Sequence, residues 1–143
     1  MSATRQFSDE ILALLSQSKG LRIRAGAGQH RFIGIWVVVV ENRVFVRSWS
    51  VKPDGWYRAF LTDPGGAIQV AGEEIAVRAV QMKDKRLRDA VDRAYLEKYN
   101  SKGSLQYAKD LGSAKSRATT IELVPSATES KKPKPAAAAL RRR

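Results

Sequence analysis

The segment at residues 31–40, RFIGIWVVVV, places the strongest constraint on the fold, because it is apolar at both odd and even positions. It is also rich in β-branched side chains, which favour an extended backbone. This combination is typical of a central β-strand that is buried on both faces, so Trp36 is expected in the core. Gly34 inside the segment predicts a bulge or a sharp bend of the kind that barrel strands need.

Alternating patterns and turn residues predict further, shorter strands. Arg22 and Arg24 alternate with apolar residues, Glu41 and Asn42 suit a tight turn, and Gly72 separates two β-branched runs. The pattern predicts five more strands, at residues 21–25, 43–49, 67–71, 74–82 and 119–124.

Helices are predicted between these strands. Ser8 is a good N-cap, with two acidic residues in the first turn after it. Four helices are expected, at residues 8–18, 56–61, 83–99 and 105–111. Six short strands with hairpin spacing and interspersed helices predict an α+β fold, mainly β, in which a six-stranded barrel carries its helices outside.

The length of 143 residues favours one domain, which we expect to span residues 1–125. Residues 126–143 form a Lys/Pro/Ala/Arg tail without an apolar pattern, and we expect this tail to be disordered. The absence of cysteine excludes disulfides and cysteine-bound metals, and a single histidine, His30, cannot build a multi-histidine metal site. No secretory signal and no membrane-length apolar run is present, so a cytoplasmic protein without a membrane partner is expected.

The net charge of +12 is the main compositional clue to a partner. Six of the 26 basic groups lie in the tail, so the folded part is basic as well. A basic domain favours an anionic partner such as a phosphate-bearing cofactor or nucleic acid, although a merely solvated surface explains the charge equally well. Nucleic acid would contact the tail, or a basic and aromatic strand face comprising Arg22, Arg24, Arg31, Arg43, Trp36 and Phe45.

Several motifs resemble a bacterial family known as domain of unknown function 2255. They are Val46-Arg47-Ser48 at a strand end, GWYRA at residues 55–59 followed by a glycine-bounded hairpin, Ala94-Tyr95, Lys98-Tyr99, and TTIELVP at residues 119–125. That family is similar to the deazaflavin-dependent nitroreductases, which have the split β-barrel fold of FMN-binding oxidoreductases. The nitroreductases carry a Thr-Gly-Arg-Lys-Ser-Gly turn before the second strand, which residues 26–31 of this chain lack.

The resemblance implies a homodimeric oxidoreductase that uses FMN or a deazaflavin to transfer hydride to a small molecule. Such a cofactor needs cations for its phosphate and a flat apolar wall for its ring. The candidate cofactor-binding residues are Arg47, Ser48, Trp49, Lys52, Trp56, Tyr57 and Arg58. The candidate substrate-pocket residues are Tyr95, Tyr99 and His30, and no catalytic residue is identified.

Structural roles compete with each of these assignments. Trp49 and Trp56 would then fill a core, Arg47 and Arg58 would pair with carboxylates, and tyrosines on the apolar side of a helix would simply pack. At the level of function, the alternative is a non-catalytic module that binds an anionic small molecule on the same barrel. The sequence contains no nucleophile elbow, P-loop or hydrolase triad motif.

Overall fold

The computed structural model describes residues 7–26, 31–49 and 55–126. The helices are α1 (Asp9–Gln17), α2 (Trp56–Thr62), α3 (Lys85–Lys98), α4 (Leu105–Leu111) and α5 (Ala114–Arg117). The strands are β1 (Leu21–Ala25), β2 (Ile33–Ile35), β3 (Val37–Val40), β4 (Arg43–Val46), β5 (Gly65–Val70), β6 (Glu73–Gln81) and β7 (Ile121–Pro125). The predicted disorder of the tail concerns residues that, apart from Ser126, lie outside this description.

The strands form one antiparallel sheet in the order β2-β1-β5-β6-β7-β4-β3. This sheet curls into a nearly closed barrel, with the helices packed at its ends and along one side. The predicted α+β class is therefore confirmed. The predicted count of six strands is wrong, because the described residues contain seven.

The difference arises in residues 31–40, which do not form a single central strand. β2 pairs with β1 at one edge of the sheet, β3 pairs with β4 at the other edge, and only Trp36 separates them. The same segment thus joins the two edges and closes the barrel. Its β3 half is apolar on both faces because one face lines the barrel interior and the other faces α3, whereas Ile33 in β2 is 45% exposed.

Two hairpins have tight turns in the left-handed region. Glu41 and Asn42 join β3 to β4 with φ values of 55° and 62°, as the turn residues predicted. Ala71 and Gly72 join β5 to β6 with φ values of 51° and 81°. An alanine in this region carries a steric cost that glycine avoids.

The barrel interior forms one apolar core. α1 begins where the Ser8 hydroxyl accepts a hydrogen bond from the Ile11 amide, which confirms the predicted cap. Leu12 and Leu15 of α1 close one region of the barrel, and Phe60 of α2 packs against the same cluster.

A second apolar cluster lies outside the barrel, between β3, β4 and α3. It contains Val38 and Phe45 from the strands, and Leu87, Val91 and Tyr95 from α3. Phe45 has no exposed surface, so it cannot belong to the basic and aromatic strand face considered for nucleic acid. None of the described helices is long and apolar enough to cross a bilayer.

Candidate functional site

Five aromatic side chains meet where the chain crosses from β2 to β3. We define the aromatic cluster as Trp36, Trp49, Tyr95, Tyr99 and Tyr107. Trp36 lies at its centre and stacks on Tyr99, with ring centroids 4.0 Å apart and planes 4° apart. Trp49 and Tyr107 approach Trp36 edge-on at 5.5 and 6.4 Å, and their own rings are perpendicular to each other.

The last turns of α3 fix the backbone beneath this cluster. The Tyr95 hydroxyl donates to the Trp36 carbonyl at 2.9 Å. The Tyr99 hydroxyl accepts from the Val37 amide at 3.1 Å. Lys98 donates to the carbonyls of Leu15 and Val37, both at 2.8 Å. Three side chains at the C-terminal end of α3 and its cap therefore fix the backbone of Trp36 and Val37, where the chain passes from one edge of the sheet to the other.

Burial changes the acid–base properties of these groups. Desolvation raises the pKa of the Tyr99 hydroxyl to about 12 and also raises the pKa of Tyr95, so both hydroxyls stay protonated well above neutral pH. Besides accepting from Val37, the Tyr99 hydroxyl donates to the Lys19 carbonyl at 2.5 Å. Desolvation lowers the pKa of Lys98 to about 8. The hydroxyls of both tyrosines bind backbone atoms, as the competing packing role expects, and the substrate-pocket role of Tyr95 and Tyr99 stays a prediction.

The outer part of the aromatic cluster remains accessible. Trp49 is 37% exposed and Tyr107 is 53% exposed, which is unusual for such large rings. Adjacent accessible aromatic faces can stack on a planar ligand. Since the rings of Trp49 and Tyr107 are perpendicular, one of them could stack on a flat ring while the other contacts its edge.

Arg47 is buried next to this cluster, with an exposed fraction of only 1%. Its guanidinium donates to Thr120 Oγ1 at 2.8 Å, to Asp92 Oδ1 at 2.5 Å, and to the carbonyls of Leu111 and Arg88 at 2.8 and 2.9 Å. Burial lowers the pKa of Arg47, while the Asp92 carboxylate opposes that shift. Four of the five N–H groups of Arg47 donate to atoms of the protein itself. This agrees with the competing structural role and leaves one N–H group of Arg47 for a phosphate.

The salt bridge of Arg47 extends into a surface network. Asp92 also binds Arg117, which in turn binds Asp89 at 2.6 Å. Hydrogen bonds to Arg117 and Lys85 lower the pKa of Asp89. This network joins α3 to α5 and to Arg47, which directly follows β4 and precedes Trp49 by two residues.

The other predicted cofactor residues that the structure describes lie in two places, beside Trp49 and on α2. Ser48 is buried and its amide donates to Thr119 Oγ1 at 2.8 Å. Trp56 and Tyr57 lie on α2 and pack with the barrel interior. Arg58 is exposed on the same helix. Lys52 and the predicted substrate-pocket residue His30 lie outside the described residues. The cofactor-binding role of Ser48, Lys52, Trp56, Tyr57 and Arg58 stays a prediction, as does the substrate role of His30.

Sequence reasoning missed two members of the cluster. Trp36 was assigned to the core, yet it is only half-buried because it lies between β2 and β3, the two edge strands of the sheet. Tyr107 is an exposed aromatic residue on a predicted helix, one turn before the buried Leu111, and this position beside the buried face of the helix was the available clue. Within the described ranges, no group of three or more His, Cys, Asp or Glu side chains is placed to hold a metal ion.

Comparison with known proteins identifies the family. Residues 12–123 match a family described as an uncharacterized protein conserved in bacteria, DUF2255. The chain belongs to this family. The resemblance that the sequence motifs indicated is thereby confirmed for most of the domain. No curated protein sequence matches this DUF2255 chain significantly.

The fold of this DUF2255 protein is similar to two solved structures. A conserved hypothetical protein from Mycobacterium tuberculosis is 13% identical, with a TM-score of 0.50 over 86% of this chain and 82% of that one. A FAD-binding protein from Mesorhizobium loti is 12% identical, with a TM-score of 0.50 over 87% of this chain and 94% of that one. At such low identity the likeness establishes the fold.

Proposed function

We propose that this DUF2255 protein binds a flavin-type cofactor, FMN or a deazaflavin, and acts as an oxidoreductase on a small molecule. The observation that carries the proposal is the accessible face of the aromatic cluster, formed by Trp49 and Tyr107. The FAD-binding protein with a similar fold and the net charge of +12 support it further. On this proposal the barrel is of the split, flavin-binding type.

The residues present fit the ring of such a cofactor. Trp49 and Tyr107 would contact the ring, and the stacked pair of Trp36 and Tyr99 would hold those two residues in place. A bound flavin supplies hydride-transfer chemistry, whereas the protein contributes binding, orientation and exclusion of water. Because Arg47 is engaged elsewhere, the phosphate would need a different cation.

We further propose that the protein forms a homodimer with the ligand close to the interface, as the family resemblance implies. Ile33 in β2 and Val80 in β6 are 45% and 40% exposed, and a partner protomer would cover such side chains. Light scattering on the purified protein should give twice the chain mass of 15.9 kDa. A monomer at concentrations well above those in a cell would contradict this part of the proposal.

Titration with FMN, FAD and a deazaflavin, in oxidised and reduced forms, tests the proposed site. Trp49→Ala and Tyr107→Ala should each weaken binding by about three- to tenfold, because an aromatic pair contributes about 0.5–1.5 kcal/mol beyond its buried area. Leu61→Ala is the matched control, since Leu61 is also exposed but lies on α2. Equal affinity in all three variants would contradict the assignment of the ring to the aromatic cluster.

A measurement of turnover distinguishes the proposed oxidoreductase from the alternative, a non-catalytic binding module. The reduced holoprotein should be reoxidised by a suitable small-molecule acceptor faster than the free cofactor at the same concentration. Tight binding without any such acceleration over a panel of quinone and nitro acceptors would favour the non-catalytic alternative.

A further inference from the structure

Arg24 has an unusual environment on the outer face of β1. Its strand neighbours Ile23 and Ala25 point into the barrel core, so Arg24 points outward, opposite Ala67 of β5. Its guanidinium carbon lies 4.5 Å from the centre of the Phe32 ring. This cation–π contact holds the guanidinium close to the sheet.

The hydrogen bonds of this guanidinium are incomplete. The Nε atom is buried, and it is the one buried side-chain nitrogen or oxygen in the described residues that has no hydrogen-bond partner. The terminal nitrogen reaches only Glu74 Oε2, at a long 3.5 Å, and the Glu74 side chain is 53% exposed. A buried donor without an acceptor is unfavourable, and the one long bond to Glu74 leaves the hydrogen bonding of this guanidinium incomplete. The Arg24 side chain is 21% exposed, so an acceptor from outside the chain can approach it.

Other buried or half-buried arginines lack this feature. Arg43 makes a two-pronged contact with Glu122, at 3.0 and 2.8 Å. Arg47 uses four of its N–H groups within the protein. The incomplete environment of Arg24 is therefore a local property and not a general feature of this basic protein.

The surroundings of Arg24 add a second cation, Arg22. Arg22 lies on the same face of β1, is exposed, and faces Gly34 of β2, where an added side chain would meet no atom within 4 Å. Arg22 and Glu74 also border a surface depression of about 570 Å³ that lies between the start of β1 and the β5–β6 turn.

We infer that Arg24, assisted by Arg22, binds an oxyanion, and that on the proposed function this oxyanion is the phosphate of the cofactor. Planar guanidinium groups suit phosphate oxygens, with which they form paired hydrogen bonds. Phe32, under Arg24, precedes Trp36 by four residues, which is about 13 Å of extended chain. A ligand that extends along this edge from the aromatic cluster would bring its phosphate toward Arg24. This inference rests on the proposed function only for the identity of the ligand.

The test compares FMN with riboflavin, which lacks the phosphate. Arg24→Gln should weaken FMN binding by about ten- to a hundredfold and leave riboflavin binding unchanged, because only the charge-assisted bonds are lost. Arg24→Lys should recover part of the FMN affinity, since an ammonium cannot make the paired contact. Arg78→Gln is the control, because Arg78 is an exposed arginine on β6 for which no such buried donor exists.

Inorganic phosphate, followed by ³¹P line broadening, separates this inference from the proposed function. Phosphate binding that Arg24→Gln abolishes and Arg78→Gln preserves would support the oxyanion site even if no flavin binds. Flavin binding with equal affinity for FMN and riboflavin, together with phosphate broadening that Arg24→Gln does not change, would overturn the site and leave the proposed function standing. Because Arg24 Nε has no partner, Arg24→Gln should also keep the wild-type melting temperature; a fall of several degrees would show a structural role instead.

Discussion

Replacing Arg47 with methionine separates the structural role of this residue from a cofactor role. Methionine keeps much of the side-chain volume but removes the charge and all donors. The carbonyls of Leu111 and Arg88 would then lose a donor. The Thr120 hydroxyl would also lose a donor but would keep its bond to the Arg117 carbonyl. Asp92 would keep Arg117 and is 28% exposed, so its charge would not be stranded.

The expected loss of stability follows from these contacts. Each buried group left without a partner costs about 1–3 kcal/mol, and breaking a buried ion pair costs about 3–5 kcal/mol when the remaining charge is uncompensated. Because Asp92 keeps a partner, we expect the lower part of that range, about 3 kcal/mol. For a chain of this size the melting temperature should fall by roughly 10–15 °C.

Urea unfolding of the wild type and the variant, with flavin titration of both, measures the two effects separately. Arg93→Met is the control, because Arg93 is an exposed arginine on the same helix as Asp92. We expect Arg47→Met to lower the unfolding midpoint and to leave flavin affinity within about threefold, which is under 1 kcal/mol. An unchanged midpoint combined with a large loss of flavin affinity would refute this reasoning and restore Arg47 as a cofactor residue.

Four further substitutions follow from the backbone and from burial. Ala71→Gly should stabilise the protein by up to about 1 kcal/mol in thermal unfolding, because φ is 51° at this position and glycine adopts it without strain. Gly66→Ala should cost about 1–3 kcal/mol, since the new Cβ would lie 2.4 Å from the Arg24 carbonyl, whereas Gly34→Ala, with open space, should be nearly neutral. Burial lowers the pKa of Lys98 to about 8 from 10.5, so the unfolded state binds more protons between these values. The stability of the wild type should therefore rise relative to Lys98→Met between pH 8 and 10; parallel curves would contradict that pKa.

Local rules predicted the elements that depend on neighbouring residues. Ser8 caps α1, Asn42 occupies the predicted turn, and α3 covers nearly all of the predicted residues 83–99. Each of these features is decided by side chains within four residues of one another. The helix α5 was missed because its four residues carry no apolar periodicity.

The error in residues 31–40 has a tertiary cause. An apolar pattern on both faces of a strand predicts burial on both faces, but it does not indicate which strand or helix packs against each face. The outer face of β3 is covered by α3, through Val38 and Tyr95. The break at Trp36, where pairing changes from β1 to β4, depends on strands before and after it and has no local signature.

The candidate site was predictable only in part. Trp49 and Tyr99 were selected from the sequence, and the structure joins them through Trp36. The partners of Arg47 are 41 to 73 residues away along the chain, so its burial could not be read from its neighbours. The incomplete hydrogen bonding of Arg24 likewise depends on the positions of Phe32 and Glu74 in the folded sheet.

The most direct test of the central claim is the identity of any ligand that the protein carries. The full chain, produced in a host that makes both flavins and deazaflavin, should be purified and denatured, and the released small molecules identified by mass spectrometry. We expect a phosphate-bearing flavin or deazaflavin in an amount comparable to the protein, with visible absorbance before denaturation. A colourless protein that releases no such compound, and that binds none in either redox state on titration, would contradict the account.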